Sequence, residues 1–206
     1  MAATSNVIEH YRGDSLSVDF TCVNKRTKVA QPLDTSGTRV WATIKSDTDD
    51  TDAEALVQLE VGDNAITGTA QGGGAASITL AAGASAETDK YRSLKITITS
   101  GPGAGESKRI TAYNGTTKLA TVASAWSVQP TSSSTYSILI GTVTVLPSPN
   151  AHVARVDVEA GVLARFAPED YAIDLQVMLP GPPERVYTAF RGTLRITSDV
   201  TRAAPY

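Results

Sequence analysis

The amino-acid sequence predicts an all-β protein, and two observations carry that prediction. The 206 residues include 26 Thr, 18 Ser and 16 Gly, and the threonines alternate with Val, Ile and Leu rather than forming tracts. β-Branched side chains fit a pleated strand better than a helix. In addition, no long stretch repeats apolar residues at the spacing of an amphipathic helix. At 41% hydrophobic and 19% charged residues, the chain has the composition of a globular protein.

The first strands are predicted from period-2 alternation. Leu16, Val18, Phe20 and Cys22 fall on one face of a strand over residues 16–22, which places Cys22 in the core. Further strands are predicted over residues 38–44 and 56–61. Between them, the acidic segment SDTDDTDAE, residues 46–54, has the composition of a loop.

The composition of the sequence changes near residue 66, where charged residues become few and small residues become frequent. The segment TGTAQGGGAAS predicts a flexible bridge, and short strands follow over residues 77–80, 94–99, 109–113, 118–122 and 135–140. Asn114-Gly115 between two of them predicts a hairpin with a type I′ turn. Residues 66–140 hold six basic and three acidic residues, a net charge of +3, which leaves −6 for the rest of the chain. We therefore predict an inserted small β domain over residues 67–140.

After residue 140, the composition again resembles that of the first 66 residues. Strands are predicted over residues 142–146, 152–158, 171–179, 186–190 and 194–196, with a break at Pro147-Ser148-Pro149, a turn at the PGPP segment and Gly192 between the last two strands. The two flanks together offer about seven strands with regular turn signals, the pattern of a β-sandwich. We predict that residues 1–66 and 141–206 form one sandwich domain, with the middle segment inserted at one of its loops. Such an insertion costs little closure entropy.

Composition and end signals argue against several functional classes. No apolar run reaches the length of a membrane-spanning helix, and the N-terminal segment lacks the features of a secretion signal. The net charge of −3 gives no excess of positive charge with which to bind the phosphates of nucleic acid. A single cysteine cannot form an internal disulfide, which fits a reducing compartment. We expect no membrane or nucleic-acid partner.

No motif in the sequence indicates catalysis or a cofactor. His10 and His152 have no acid or cysteine at metal-ligand spacing, and GPGAGESK at residues 101–108 lacks both the phosphate-loop pattern and a following helix. Asp47, Asp49, Asp50 and Asp52 leave calcium binding open beside a solvated loop, although the EF-hand pattern fails. The tripeptide at residues 12–14 matches an integrin motif but is better explained as a turn with Gly13. We expect neither an enzyme nor a bound cofactor or metal.

The aromatic side chains leave two interpretations open. Trp41 is out of phase with its apolar strand neighbours, so it faces a second layer or an interface. Trp126, Tyr113 and Tyr136 either form a platform for carbohydrate or fill the core of the inserted domain, and core packing is the favoured interpretation.

The middle segment resembles a module that recurs in structural proteins of tailed bacteriophages. The resemblance covers about 60 residues and lies in ITSGPGAG, ITAYNG, the AW and P elements, and STYSI. The flanks are similar to the immunoglobulin-like N-terminal domain of phage baseplate upper proteins and related tail components, through YRGDSLSVDF, PLDTSGTRVWATIK, EDYAIDLQV and FRGTLRITSDVT. APEDY, ending at Tyr171, resembles a tyrosine corner.

The resemblance implies an immunoglobulin-like β-sandwich interrupted by an inserted small β-barrel or β-rich module. It also implies a virion structural protein, made in the host bacterial cytoplasm, that forms homo-oligomers and docks on other virion proteins. A tail, baseplate, fibre or fibre-adaptor subunit is favoured; a head-decoration protein and a module that binds host surface glycan are the alternatives. The chain ends soon after the sandwich, which puts a terminal receptor-binding role in doubt. The candidate interface residues are Gly101, Pro102, Gly103, Asn114, Gly115 and Trp126.

Overall fold

A computed structural model describes residues 6–24, 27–51 and 55–198. Its strands are β1 Val7–Tyr11, β2 Leu16–Thr21, β3 Arg39–Lys45, β4 Val57–Glu60, β5 Gly62–Thr69, β6 Gly72–Gly74, β7 Ser77–Thr79, β8 Lys95–Ser100, β9 Ser107–Asn114, β10 Leu119–Val122, β11 Thr135–Val145, β12 Val153–Val158, β13 Asp170–Leu179 and β14 Arg185–Thr197. A single short helix, α1 Ala160–Leu163, occurs in these described ranges. Within them, no helix has the length and apolar character needed to span a membrane.

The chain divides into two compact units. Unit 1 takes the described residues of Met1–Asn64, Gly141–Val158 and Leu163–Tyr206. Unit 2 consists of Ala65–Ile140 and Glu159–Val162. Strands β5 and β11 each contribute residues to both units.

Unit 1 is a sandwich of two sheets. One sheet has the order β1-β14-β13-β3-β4, and the other has the order β2-β12-β11. Strand β1 is parallel to β14, and the other neighbouring strands are antiparallel. Strands β2, β12 and β11 correspond to strands B, E and D of an immunoglobulin-like fold. Strands β14, β13, β3 and β4 correspond to its strands G, F, C and C′. The predicted all-β, immunoglobulin-like class is therefore confirmed.

The alternating apolar residues meet between the two sheets of unit 1. The rings of Phe20 on β2 and Phe190 on β14 lie 4.7 Å apart, centroid to centroid. Cys22 is buried, as its position in the alternation predicted. At the start of β13, the Tyr171 hydroxyl donates a hydrogen bond of 3.2 Å to the Ala167 carbonyl oxygen. This contact is the tyrosine corner that the sequence resembled.

Unit 2 has the strand order β5-β11-β8-β9-β10-β7-β6. Its core holds the isoleucines that alternate along the strands, such as Ile96, Ile98, Ile110 and Ile138, each with no exposed surface. Of the two forms predicted for the insert, the β-rich one describes it, since the strands do not close into a barrel.

Three predictions of local structure are wrong. The proposed flexible bridge TGTAQGGGAAS contains the end of β5, all of β6 and the start of β7. Residues 135–140 and 142–146, predicted as two strands, belong to the single strand β11. Residues 186–190 and 194–196, predicted as two strands, belong to the single strand β14, in which a Cβ atom on Gly192 would come within 2.4 Å of the Asn6 carbonyl oxygen. A side chain does not fit there, so the glycine fills a close approach within the strand.

Candidate functional site

The turn between β8 and β9 holds three of the predicted interface residues. Gly101 and Gly103 have φ angles of 76° and 84°, a conformation that favours glycine. A Cβ atom on Gly101 would lie 2.6 Å from the Ser133 carbonyl oxygen, and one on Gly103 would lie 2.8 Å from that of Val128. The carbonyl oxygen of Pro102 accepts a hydrogen bond of 2.8 Å from the Ser134 hydroxyl. This turn is therefore fixed against the segment that precedes β11.

Glu106 ties the same turn to a second segment. Its carboxylate accepts hydrogen bonds of 2.8 Å from the backbone N–H groups of Ser127 and Val128. These bonds, with the nearby ammonium of Lys108, hold the pKa of the Glu106 carboxyl below its usual value. Sequence analysis did not single out this residue. Its signal would have been an acidic side chain directly after a glycine turn, which is common in any exposed loop.

Asn114 and Gly115 form the predicted hairpin, but with a different turn. The loop has four residues, 115–118, and the left-handed residue is Lys118, with a φ of 58°. The Asn114 carboxamide oxygen accepts hydrogen bonds from the N–H groups of Thr116 and Thr117. A Cβ atom on Gly115 would lie 2.1 Å from the Ala86 carbonyl oxygen. The type I′ prediction is wrong because Gly115 is required for close packing and not for a positive φ.

Trp126, Tyr113 and Tyr136 are core residues of unit 2. Their exposed fractions are 6%, 2% and 1%. The Trp126 indole N–H donates to the Ser77 carbonyl oxygen at 3.2 Å, and the Tyr113 hydroxyl donates to that of Ser85 at 2.6 Å. Burial raises the pKa of Tyr113 to about 12. The core interpretation of these rings is confirmed, and they present no open stacking platform.

One surface of unit 2 carries hydroxyl groups in rows that cross four neighbouring strands. The first row joins Ser107, Thr97, Ser137 and Thr67, which are successive register partners on β9, β8, β11 and β5. The second row includes Thr69 paired with Thr135, next to Thr99. We name this surface the hydroxyl face; its members are Thr67, Thr69, Thr97, Thr99, Ser107, Thr135 and Ser137. All of them are exposed or half-buried, whereas the residues between them on β8, such as Ile96 and Ile98, are buried.

Hydrogen bonds join two pairs of hydroxyl groups on this face. The Thr97 and Ser107 oxygens are 2.7 Å apart, and the Thr135 oxygen is 2.7 Å from that of Thr99. Each bond connects hydroxyl groups on two neighbouring strands, and the face presents methyl and hydroxyl groups in rows across the sheet.

Two cations stand opposite each other at one side of the hydroxyl face. Lys95 on β8 and Arg109 on β9 are direct register partners, so their side chains project from the same face of the sheet. Both are exposed. Among the residues that the structure describes, no acidic side chain forms an ion pair with either of them. Like charges in opposite register positions repel each other, so this pair is electrostatically favourable only beside a negative group.

The acidic loop belongs to unit 1. The Asp47 carboxylate accepts the N–H of Asp49 at 3.3 Å, and the Asp50 carboxylate accepts the N–H of Asp47 at 3.0 Å. The hydrogen bond from the Asp49 N–H, together with those from the Thr48 hydroxyl and N–H, lowers the pKa of Asp47. Asp52 lies outside the described residues. In the described ranges, no group of three or more His, Cys, Asp or Glu is placed to hold a metal ion.

A buried ion pair lies on the outer side of the five-stranded sheet in unit 1. The Lys45 ammonium is 3.5 Å from the Asp174 carboxylate, and each side chain is only 8% exposed. The Thr43 hydroxyl donates a hydrogen bond to the same carboxylate. Trp41 lies on this side too, half-buried, with the Arg39 guanidinium 5.9 Å from its ring centroid. Trp41 is therefore out of phase with the core, as predicted.

Sequence reasoning did not find the hydroxyl face or the opposed cations. Alternating threonines in KITITS and serine with threonine in STYS were visible as strand signals. That these segments are neighbours, in a register that aligns hydroxyl with hydroxyl, depends on pairings between residues far apart in the chain.

Comparison with known protein families gave no match for this sequence, and no curated protein is significantly similar to it.

Proposed function

We propose that this protein is a structural subunit of a tailed-bacteriophage virion, in the tail, baseplate, fibre or a fibre adaptor. In this role it acts by associating with further copies of itself and by docking on other virion proteins. It catalyses no reaction and needs no cofactor in that role.

The observation that carries the proposal concerns the segments that resemble the phage module. Their distinctive residues form the internal framework of unit 2: Gly101 and Gly103 allow close backbone contacts, and Trp126 and Tyr136 fill the core. A module whose recurring motifs maintain its own fold supports a role as a building block, with its exposed strand surfaces left for contacts with neighbours.

The sheet edges of unit 1 supply a mechanism for docking. Strands β1 and β4 are the end strands of the five-stranded sheet. End strands offer backbone N–H and C=O groups that a strand of a neighbouring protein can pair with. In a symmetric particle, a modest contact of this kind is repeated in every copy.

Analysis of purified particles tests the proposal. Particles from infected cells, separated from free protein on a density gradient, are expected to contain the chain when their proteins are identified by mass spectrometry. Gold labelling of a tagged chain is expected at the tail. Label spread over the capsid faces would favour the head-decoration role instead, and absence of the chain from particles would reject a virion role.

The glycan-binding alternative receives less support. It depended on Trp126, Tyr113 and the Asn114-Gly115 hairpin, with Tyr136 as a further ring, and all three rings are buried. Binding of the isolated protein to host surface polysaccharide is the direct measurement, and we expect none through these residues.

A further inference from the structure

The two units of the chain carry opposite net charge, and each exposes part of it. Residues 66–140, nearly all of unit 2, have a net charge of +3, and the remainder of the chain has −6. On unit 2, Lys95 and Arg109 oppose each other beside the hydroxyl face. On unit 1, Asp47 and Asp49 are exposed in the loop between β3 and β4. A chain with this distribution attracts other copies of itself when the charged surfaces are oriented toward each other.

We propose that Lys95 and Arg109, beside the hydroxyl face of unit 2, bind Asp47 and Asp49 in the loop between β3 and β4 of a second copy of this chain. The inference rests on the proposed function, in which copies associate, and it names the surfaces that do so. The carboxylates of the incoming loop relieve the repulsion between the two cations. The hydroxyl groups of Thr97 and Ser107, the next register pair on the same face of the sheet, supply hydrogen bonds to carboxylate and backbone groups.

This contact joins two different patches, so it is heterologous. After it forms, one copy still has a free hydroxyl face and the other a free acidic loop. Such a contact repeats head to tail and gives a ring if the rotation closes, or an open stack if it does not. Either product suits a component of a symmetric particle.

Charge-reversed variants test the contact. K95E/R109E reverses the charge of the two cations beside the hydroxyl face. D47K/D49K reverses the charge of the two exposed carboxylates of the loop, by an equal amount. K90E/R92E is the matched control: it makes the same charge change in unit 2, at cations that already pair with Glu87 and Asp89. Circular dichroism and thermal melting confirm that each variant is folded before association is compared.

Association is measured by sedimentation velocity over a series of concentrations at low salt. The wild-type chain is expected to associate, and to dissociate in about 1 M salt, where the screening length is only about 3 Å. Each of the two test variants is expected to raise the dissociation constant by about tenfold or more, since like charges then meet. An equimolar mixture of K95E/R109E and D47K/D49K is expected to associate again. The now acidic positions 95 and 109 of one variant meet the now basic loop of the other, and the unchanged cations of the second variant meet the unchanged acidic loop of the first. The control variant is expected to associate as the wild type does.

Several outcomes overturn the inference. They are a wild-type chain that stays monomeric, an equal loss in the K90E/R92E control, and a mixture that fails to associate. A monomeric wild type that binds a soluble acidic polysaccharide, alginate in this test, would also overturn it and would assign the face to glycan. None of these results contradicts the proposed virion role if the chain is found in particles. Failure of this inference is therefore distinguishable from failure of the proposed function.

Discussion

The carboxylate of Glu106 accepts the backbone N–H of Val128 at a distance of 2.8 Å, across 22 positions of the chain. The other carboxylate oxygen accepts the N–H of Ser127. One acidic side chain therefore joins the turn that ends β8 to the segment that follows Trp126. Hydrogen bonds from N–H groups to a charged acceptor are stronger than those to a neutral one.

Glu106→Gln is expected to lower the melting temperature of unit 2, because the neutral amide is a weaker acceptor and offers only one oxygen. The pKa of Glu106 is lowered in the folded state, so its stabilising effect is present above the unfolded-state pKa of about 4.3 and is lost as the pH falls through the lower folded pKa. The difference in melting temperature between wild type and variant is thus expected to be constant from about pH 6 to 8 and to shrink in acid. Glu87→Gln, at an exposed pair with Lys90, is the control. A pH-independent difference would contradict this account.

Trp126→Ala is expected to destabilise unit 2 by about 3 to 5 kcal/mol, the usual cost of removing a buried tryptophan ring. The ring is 6% exposed and its N–H is bonded to the Ser77 carbonyl oxygen. Urea denaturation followed by circular dichroism measures the loss. Trp126→Phe is expected to cost less, because it keeps most of the buried surface and loses the hydrogen bond. A near-neutral Trp126→Ala would mean that the ring is available at the surface.

Gly115→Ala is expected to destabilise the protein by about 1 to 3 kcal/mol through overpacking. The new methyl group would lie 2.1 Å from the Ala86 carbonyl oxygen, so the backbone at one of these positions must move. Gly72→Ala is the matched control in the same unit, because no heavy atom lies within 4 Å of its Cβ position. Equal unfolding free energies for the two variants would show that the loop at 115 adjusts freely.

Alternation of apolar and polar residues was sufficient to predict most strands. Leu16, Val18 and Phe20 alternate with polar residues on β2, and Tyr171, Ile173 and Leu175 occupy alternate positions of β13; both strands are found where predicted, within one or two residues. The tyrosine corner was also visible, since it depends on residues only four positions apart.

The errors occurred where a glycine's role depends on a distant residue. Two separate strands were predicted on either side of Gly192, and Gly115 was predicted to have a positive φ, yet both glycines are needed because another backbone passes close by. The glycines of β6 were assigned to a linker, although they pair with β7. The candidate site was missed for the same reason, as the opposition of Lys95 and Arg109 follows only from strand register.

Asp174→Asn is expected to cost about 3 to 5 kcal/mol, because it removes a carboxylate charge 3.5 Å from the buried Lys45 ammonium. The two side chains are each 8% exposed, so little water replaces the lost interaction. The double variant that combines Asp174→Asn with Lys45→Met is expected to recover part of the loss, since the buried charge is then removed. Glu60→Gln breaks the pair with Arg39, whose side chains are 54% and 58% exposed respectively, and is expected to cost less than about 1 kcal/mol. Equal costs at the two pairs, measured by urea denaturation, would contradict the burial argument.

Cys22 is expected to resist thiol reagents for as long as unit 1 remains folded. Burial raises the pKa of its thiol to about 11, so at pH 8 only about one molecule in a thousand carries the reactive thiolate. Steric exclusion slows the reaction further, because the residue is only 1% exposed. Labelling with iodoacetamide at pH 8, followed by intact mass, is expected to leave the native protein unmodified and to modify it fully in concentrated urea. Intermediate urea concentrations then report the opening of unit 1 separately from that of unit 2, which has no cysteine. Rapid labelling under native conditions would show that the strand end at Cys22 opens without unfolding of the sandwich.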